Sequence, residues 1–383
     1  MFLKRMQSGG MAVLLSVSFS MVPFLSHAAP AAVYYQESTE AQTEEPGLVL
    51  SELAVKTDNS DEAPVFSGGE VRFLANTKTT QQQLCGVFKS SDGRVLVVDG
   101  GVSENAPHLL SVLKEYGGKV DAWLITHPQN DHVGALNEIL RNHAGEVDIR
   151  NVYFHFNPLS WYSSVAPEDM PMIEALISAL KTLPPERLHG FSGDLSETGG
   201  GQKTEAGADG ASGQTVSTTA SNVIYSPSKK RQKKKSASAP VTKGQTILLS
   251  DRLSFRALND PLQIPGSYAV NSSSIMYDIE MDGKHIIVLG DMGPDGGDCL
   301  LPEIRAMNLK TDYVVMAHHG QNGVRKSFYL ALRPKACIWS CPDWLFDPAP
   351  KDREFKTAET KSWINAMGIT KNYCTKDGDI ILR

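Results

Sequence analysis

The sequence predicts an α/β fold in four layers: two β-sheets packed together, with helices outside both of them (αββα). Three observations lead to it. Strand-like and helix-like patterns follow one another in two halves of similar order. The low-complexity stretch between the halves breaks off where a regular pattern resumes, so it reads as an insertion into one domain. Polar residues able to bind metal stand at the C-terminal ends of apolar strands in both halves, where rigid elements present side chains to a common edge.

Taken in order, residues 1–28 read as an export signal. Lys4 and Arg5 precede the apolar "MAVLLSVSFSMVPFL", and "SHAAPAA" offers small residues for cleavage after Ala28. That run falls short of the ~20 residues a spanning helix needs. No second stretch of spanning length follows. The mature chain is therefore expected to be secreted or attached at the cell surface, with no integral membrane domain. Residues 29–65 are acidic and lack apolar periodicity, and read as a disordered spacer.

The domain is expected over 66–383. "VRFLAN", "QLCGVFKS" and "GRVLVVDGG" read as strands, "ENAPHLLSVLKEYGG" as a helix with a glycine stop, and "KVDAWLITH" as a buried strand. "VGALNEILRNHAG" reads as helix, "IRNVYFHF" as strand, and "PEDMPMIEALISALKTL" as a helix opened by acidic residues. Residues 192–240 are rich in Gly, Ser, Thr and Ala and end in the basic run "KKRQKKK" (229–235). Such an insertion costs a fold little closure entropy.

Beyond it, "GQTILLSDRLSFRAL" resumes the strand pattern, and "SSSIMYDIEMDGKHIIVLGD" reads as two strands about a "DGK" turn. "DCLLPEIRAMN" is helix, "DYVVMAHHG" a strand ending in two histidines, and "SFYLALRPKACIWS" helix then strand. "KTAETKSWINAMG" is helix, and "KNYCTKDGDIILR" reads as a closing hairpin. Five cysteines make no disulfide framework. Cys337 and Cys341 read as small buried residues on one strand, too far apart to pair with each other. A net charge of −6 selects no particular partner, whereas the basic run could hold an anionic polymer such as nucleic acid or a cell-wall teichoic acid.

The chemistry concentrates in "LITHPQNDHVGAL" (124–136), where His127, Asp131 and His132 follow an apolar run. Asp99, Asp291, His318 and His319 end other strands. Imidazoles and carboxylates so placed suit Zn²⁺, Mn²⁺ or Fe²⁺.

The order "VVDGG … THPQNDHVGAL … NSSS … VLGDM … AHHG" resembles the metallo-β-lactamase superfamily, and within it the hydrolase domain of competence DNA-uptake channel proteins (ComEC-like). The resemblance runs from about Val71 to Arg383, apart from the insertion. It implies metal ligands at His127, Asp131, His132 and Asp291, with the last histidine supplied by His318 in preference to His319. It implies a bracing role for Asp99 behind the histidine loop, and Asp131 and Asp291 as the catalytic carboxylates. Gln129 and Asn271 stand where the wider superfamily has histidines, so they are at best weak ligands and one of two metal positions is impaired. One or two divalent ions, Zn or Mn, are expected.

Ser272, Ser273, Ser274, Gln321 and Asn322 are candidates to hold a phosphate. The expected activity is that of an exported metal-dependent hydrolase, a phosphodiesterase or nuclease. The alternatives are a hydrolase of cell-wall phosphodiesters or other esters, and a catalytically weak protein of this fold that binds an anionic polymer.

Overall fold

In the strand "VLVVD" every residue is buried, so it has no solvent face and must be covered on both sides. Val95 and Val97 point into one apolar layer, Leu96 and Val98 into another, as the two-residue period of a strand requires. "KHIIV" repeats the device, with Ile286 and Val288 in the shared layer and Ile287 in a third. Three apolar layers between sheets and helices make four layers of structure, the αββα sandwich expected from the sequence.

The computed structural model describes residues 65–76, 78–190, 223–225, 242–349 and 355–383. The expected signal (1–28), the spacer but for its last residue, and the insertion (192–240) apart from 223–225 lie outside the described residues. No helix among the described residues is long and apolar enough to cross a membrane.

The strands run in chain order β1 (Glu70–Phe73), β2 (Cys85–Lys89), β3 (Val95–Asp99), β4 (Lys119–Val120), β5 (Ala122–Leu124), β6 (Asp148–Ile149), β7 (Val152–Phe154) and β8 (Leu188–Gly190). They continue as β9 (Val223–Tyr225), β10 (Thr246–Leu248), β11 (Leu253–Ala257), β12 (Tyr277–Met281), β13 (Lys284–Val288), β14 (Tyr313–Val315), β15 (Ala336–Trp339), β16 (Asn372–Cys374) and β17 (Ile380–Leu382). One sheet has the order β17-β1-β2-β3-β5-β7-β8, and the other β16-β15-β14-β13-β12-β11-β10-β9.

Helices α1 (Ala106–Glu115), α2 (Asn130–Asn142), α3 (Leu159–Val165) and α4 (Met170–Leu180) accompany the first sheet; Leu109, Leu136 and Leu176 share a layer with Val97, Trp123 and Val152. After the short α5 (Ala269–Ser272), α6 (Pro294–Met307), α7 (Lys326–Leu332), α8 (Asp343–Phe346) and α9 (Thr357–Ala366) accompany the second; Leu300, Phe328 and Ile364 pack with Ile287 and Val314. Between the sheets Phe88, Val98 and Leu124 meet Phe255, Tyr277 and Val288.

Parallel pairing positions the site. β3 pairs parallel with β5 and β13 with β14, so within each sheet two neighbouring strands deliver their C-terminal residues to one edge. Those four ends lead into Asp99, His127, Asp291 and the His318–His319 pair.

Two expectations are corrected. "KNYCTKDGDIILR" is not a hairpin: β16 lies beside β15 at the edge of the second sheet, while β17 pairs antiparallel with β1 in the first. Ile380 and Leu382 gain burial in the layer between the sheets beside Val71 and Phe73, which local pairing with β16 would forgo. Cys337 and Cys341 do not share a strand either, because β15 ends at Trp339; both are buried, as expected.

An ion pair ties β17 down. Asp379 accepts the Ala75 amide at 2.9 Å and lies 3.0 Å from His108 Nε2 on α1. The bond to Asp379 raises the imidazole above its ordinary pKa. Its contribution is therefore full below the unfolded value of about 6.5 and is lost as pH rises through the raised folded value. Replacing Asp379 with Ala should lower stability by about 1–2 kcal/mol, more at pH 6 than at pH 9, measurable in urea titrations at the two pH values.

Candidate metal centre

Asp99 ends β3 in the left-handed region (φ 59°), and its buried carboxylate meets three groups. It accepts the Thr126 amide and hydroxyl, each at 2.8 Å, and lies 2.8 Å from His132 Nδ1. The last contact makes Nδ1 the protonated nitrogen and leaves Nε2 as the one able to bind metal. His132 and Asp131 ride on the first turn of α2, directly after the β5 loop. Asp99 thus ties the end of β3 to Thr126 and to the His132 ring.

From the second sheet, Gly290 (φ 56°) carries the chain from β13 into Asp291. A Cβ at this glycine would come within 2.9 Å of Ser274 and Thr126, so the approach needs glycine. Beyond β14, His318 (φ 49°) and His319 (φ 57°) are both left-handed, an unfavourable conformation for non-glycine residues. His319 Nδ1 donates to the Ser340 carbonyl at 2.8 Å, which leaves its Nε2 facing the acids.

The groups converge. His132 Nε2 lies 3.1 Å from Asp291 Oδ1, and His319 Nε2 lies 3.3 Å from Asp131 Oδ2 and 3.4 Å from Asp291 Oδ2. Ligand atoms of Asp131, His132, Asp291 and His319 all fall within 4.8 Å of one another. Both Nε2 atoms and Asp291 Oδ1 are buried, and despite these short separations none of them makes a well-directed hydrogen bond. Two imidazoles held through Nδ1 and two carboxylates fit a divalent ion of the Zn or Mn type.

Electrostatics agree with that fit. Burial alone would lower the His132 and His319 imidazoles, but the charges of Asp291 and Asp131 outweigh it, raising His132 strongly and His319 to about 9. Burial likewise would raise Asp131 and Asp291, and the facing imidazoles instead hold both carboxylates low. The four groups form a centre of paired charge that attracts cations to its acids and surrenders protons to a bound ion.

His127 stands apart. Its Nε2 lies 3.0 Å from Gln129 Oε1 and 4.0 Å from Asp291 Oδ2. Gln129 Nε2 donates to the Asp169 carboxylate at 3.1 Å, so the amide turns its oxygen to His127 and accepts from that Nε2. Ser274 accepts the Asp291 amide at 3.0 Å and meets His127 Nδ1 at 3.2 Å from its hydroxyl. Burial first, and the nearby His132 charge, push His127 down to about 4, so it is neutral at ordinary pH. Asn271 Nδ2 lies 3.4 Å from both Asp291 Oδ2 and His318 Nε2.

Several expectations change here. His319, not His318, joins Asp131, His132 and Asp291, because Ser340 turns its ring towards them. The Ser273 hydroxyl is spent on the Val270 carbonyl, and that of Ser274 on Asp291 and His127, so neither is available to a phosphate. Ser272 is buried against the start of α6, close to Gly293 and Gly296. Gln321 donates to Gln82 at 2.7 Å, and Gln82 in turn reaches Asp131 Oδ2 at 3.4 Å; Asn322 follows with a left-handed backbone.

Sequence reasoning missed Ser340, Gln82 and Asp169. Ser340 acts through its backbone carbonyl, which leaves no residue-type signal. Asp169 reads as a helix-opening acid and does precede α4, yet its side chain makes no capping bond and holds Gln129 instead.

Residues 79–226 match the family model described as "Metallo-beta-lactamase superfamily". No curated protein matches the chain. Among solved structures it is similar to the metallo-β-lactamase fold protein YhfI from Bacillus subtilis, at 9% identity over 82% of this chain and 99% of that one, with a TM-score of 0.41. It is also similar to Zn(2+)-bound PqqB from Methylobacterium extorquens, at 9% identity over 82% and 99%, with a TM-score of 0.42. A diphosphatase from the PhnP family gives 10% identity over 82% and 97%, with a TM-score of 0.38. Through the match over residues 79–226, the chain carries a metallo-β-lactamase superfamily domain.

Proposed function

We propose that the protein is an exported metal-dependent hydrolase that holds one divalent ion on Asp131, His132, Asp291 and His319 and cleaves phosphodiesters. The observation that carries the hydrolase reading is the group of four ligand atoms, with both Nε2 atoms buried and aimed at the two carboxylates. Bound there, a divalent ion supplies a Lewis acid and a water acidic enough to attack near neutral pH.

The chain's own groups do the rest. Asp291, buried and reached by both histidines, orients the centre, while the partly exposed Asp131 is placed to orient the attacking water. The single ion follows from Gln129: the bond to its amide occupies the His127 nitrogen that a second ion would need. The preference for phosphodiesters rests on the likeness of the motif order to the competence-type hydrolase domain. The basic run 229–235 suits a nucleic acid or a cell-wall anionic polymer as the substrate or tether.

The test is metal content per chain of untagged protein, with hydrolysis of bis(p-nitrophenyl) phosphate under added Zn²⁺ or Mn²⁺. One ion and metal-dependent turnover are expected. Turnover of carboxylic esters or lactams alone would overturn the substrate class, and no turnover of any of these would overturn the hydrolase. Gln129→His should raise the metal content from one ion towards two; content that stays at one would show that His127 is withheld by something other than Gln129.

A further inference from the structure

We infer that Cys341 and Cys374 form a disulfide, and that this bond clamps the segment that holds His319. The two Sγ atoms lie 3.7 Å apart, although the residues are 33 positions apart in the chain. β15 and β16 run parallel with Trp339 opposite Cys374, which brings the residues just past β15 over the end of β16. Thr375 adds a hydroxyl bond to the Cys341 carbonyl at 3.2 Å. Bonded sulfurs sit about 2.05 Å apart, so the two sulfurs have to approach by only ~1.7 Å to bond.

The two thiols differ in a way that suits the reaction. Cys341 is buried and Cys374 is half-buried, so an oxidant meets Cys374 first. The bond from Cys341, together with the Lys376 amide and ammonium, holds the Cys374 thiol below its usual value despite burial.

The oxidant is a disulfide, of a small thiol such as glutathione or of an oxidoreductase. The Cys374 thiolate attacks one of its sulfurs, that S–S bond breaks, and one thiolate leaves. Cys341 gives up its proton and attacks Cys374 Sγ; the mixed disulfide breaks and the second thiolate leaves. Two protein thiols are oxidised, one external disulfide is reduced, and the two protons end on the released thiols.

The second half of the inference rests on the metal reading above. Ser340, next to Cys341, accepts the His319 Nδ1–H bond and donates its own hydroxyl to the Gln83 carbonyl at 2.6 Å. Fixing Cys341 to β16 fixes that carbonyl, and groups that orient a ligand histidine through its other nitrogen govern metal affinity.

The full chain is incubated with oxidised glutathione, alkylated under denaturing conditions and mapped without reduction. Alkylation of all five cysteines is expected after reduction, and a peptide linking Cys341 to Cys374 after oxidation. The oxidised form should melt about 5 °C higher. It should also bind Zn²⁺ on the order of threefold more tightly in competition with a chromophoric chelator. Cys374→Ser, or Cys341→Ala should that variant fail to fold, should lose the linked peptide and the melting shift together. Glutathione retained on Cys374, or both thiols still alkylated, would overturn the disulfide. A linked peptide with equal Zn²⁺ affinity in the two states would overturn the coupling to His319. Absence of Zn²⁺ binding in both states would instead remove the metal reading and leave the disulfide in place.

Discussion

His319→Ala is expected to empty the metal centre, and His318→Ala to leave it filled. His319 Nε2 faces Asp131 and Asp291 within 3.4 Å, while its Nδ1 is anchored on the Ser340 carbonyl. His318 Nε2 faces Asn271 at 3.4 Å and stands 3.8 Å from Asp291 Oδ2. Groups that merely orient a ligand histidine are worth about 10–100-fold in metal affinity, so deleting a ligand should cost at least ~100-fold. His318→Ala should change affinity by less than about tenfold on the same scale. Chelator competition with Zn²⁺, backed by metal analysis of dialysed protein, separates the two. Equal losses in both variants would mean that the histidines share the ion, and the assignment would fall.

Asp99→Ala should damage the protein twice over. The carboxylate is wholly buried and serves the Thr126 amide, the Thr126 hydroxyl and His132 Nδ1. Removing it strands buried donors, one of them on an imidazole that the surrounding acids keep charged. A loss of about 3–5 kcal/mol is expected, as for breaking a buried ion pair. Metal affinity should fall about 10–100-fold in the fraction that folds, because His132 is no longer held in the tautomer that frees Nε2. Thr126→Val offers the comparison: it removes one hydroxyl and should cost about 1–2 kcal/mol, with little change in affinity. Urea titrations and chelator competition on both variants measure the two effects independently. Full metal affinity in Asp99→Ala would show that packing alone orients His132.

Much of the fold was legible because strand burial is written locally. "VLVVD", "AWL", "KHIIV" and "YVV" each became a strand, and the helices between them kept their order. The short α3, α5 and α8 left little trace, since one or two turns carry too few apolar positions to show a period. The closing segment was misread for a different reason: its two strands look alike locally, but sheets need edges completed, and each strand completes a different one.

At the site, the sequence by itself determined that Asp99, His127, Asp131, His132, Asp291 and the two neighbouring histidines would stand at strand ends, because that placement follows from local apolar runs. Only the tertiary structure decided which of those atoms meet. His318 and His319 share one local pattern, and a carbonyl 21 residues away, just past the end of β15, turns His319 inward. Gln129 looks like a mere gap in a ligand motif until Asp169 orients its amide towards His127. Hydrogen bonds between residues distant in the chain choose tautomers and ring directions, and metal binding depends on those choices.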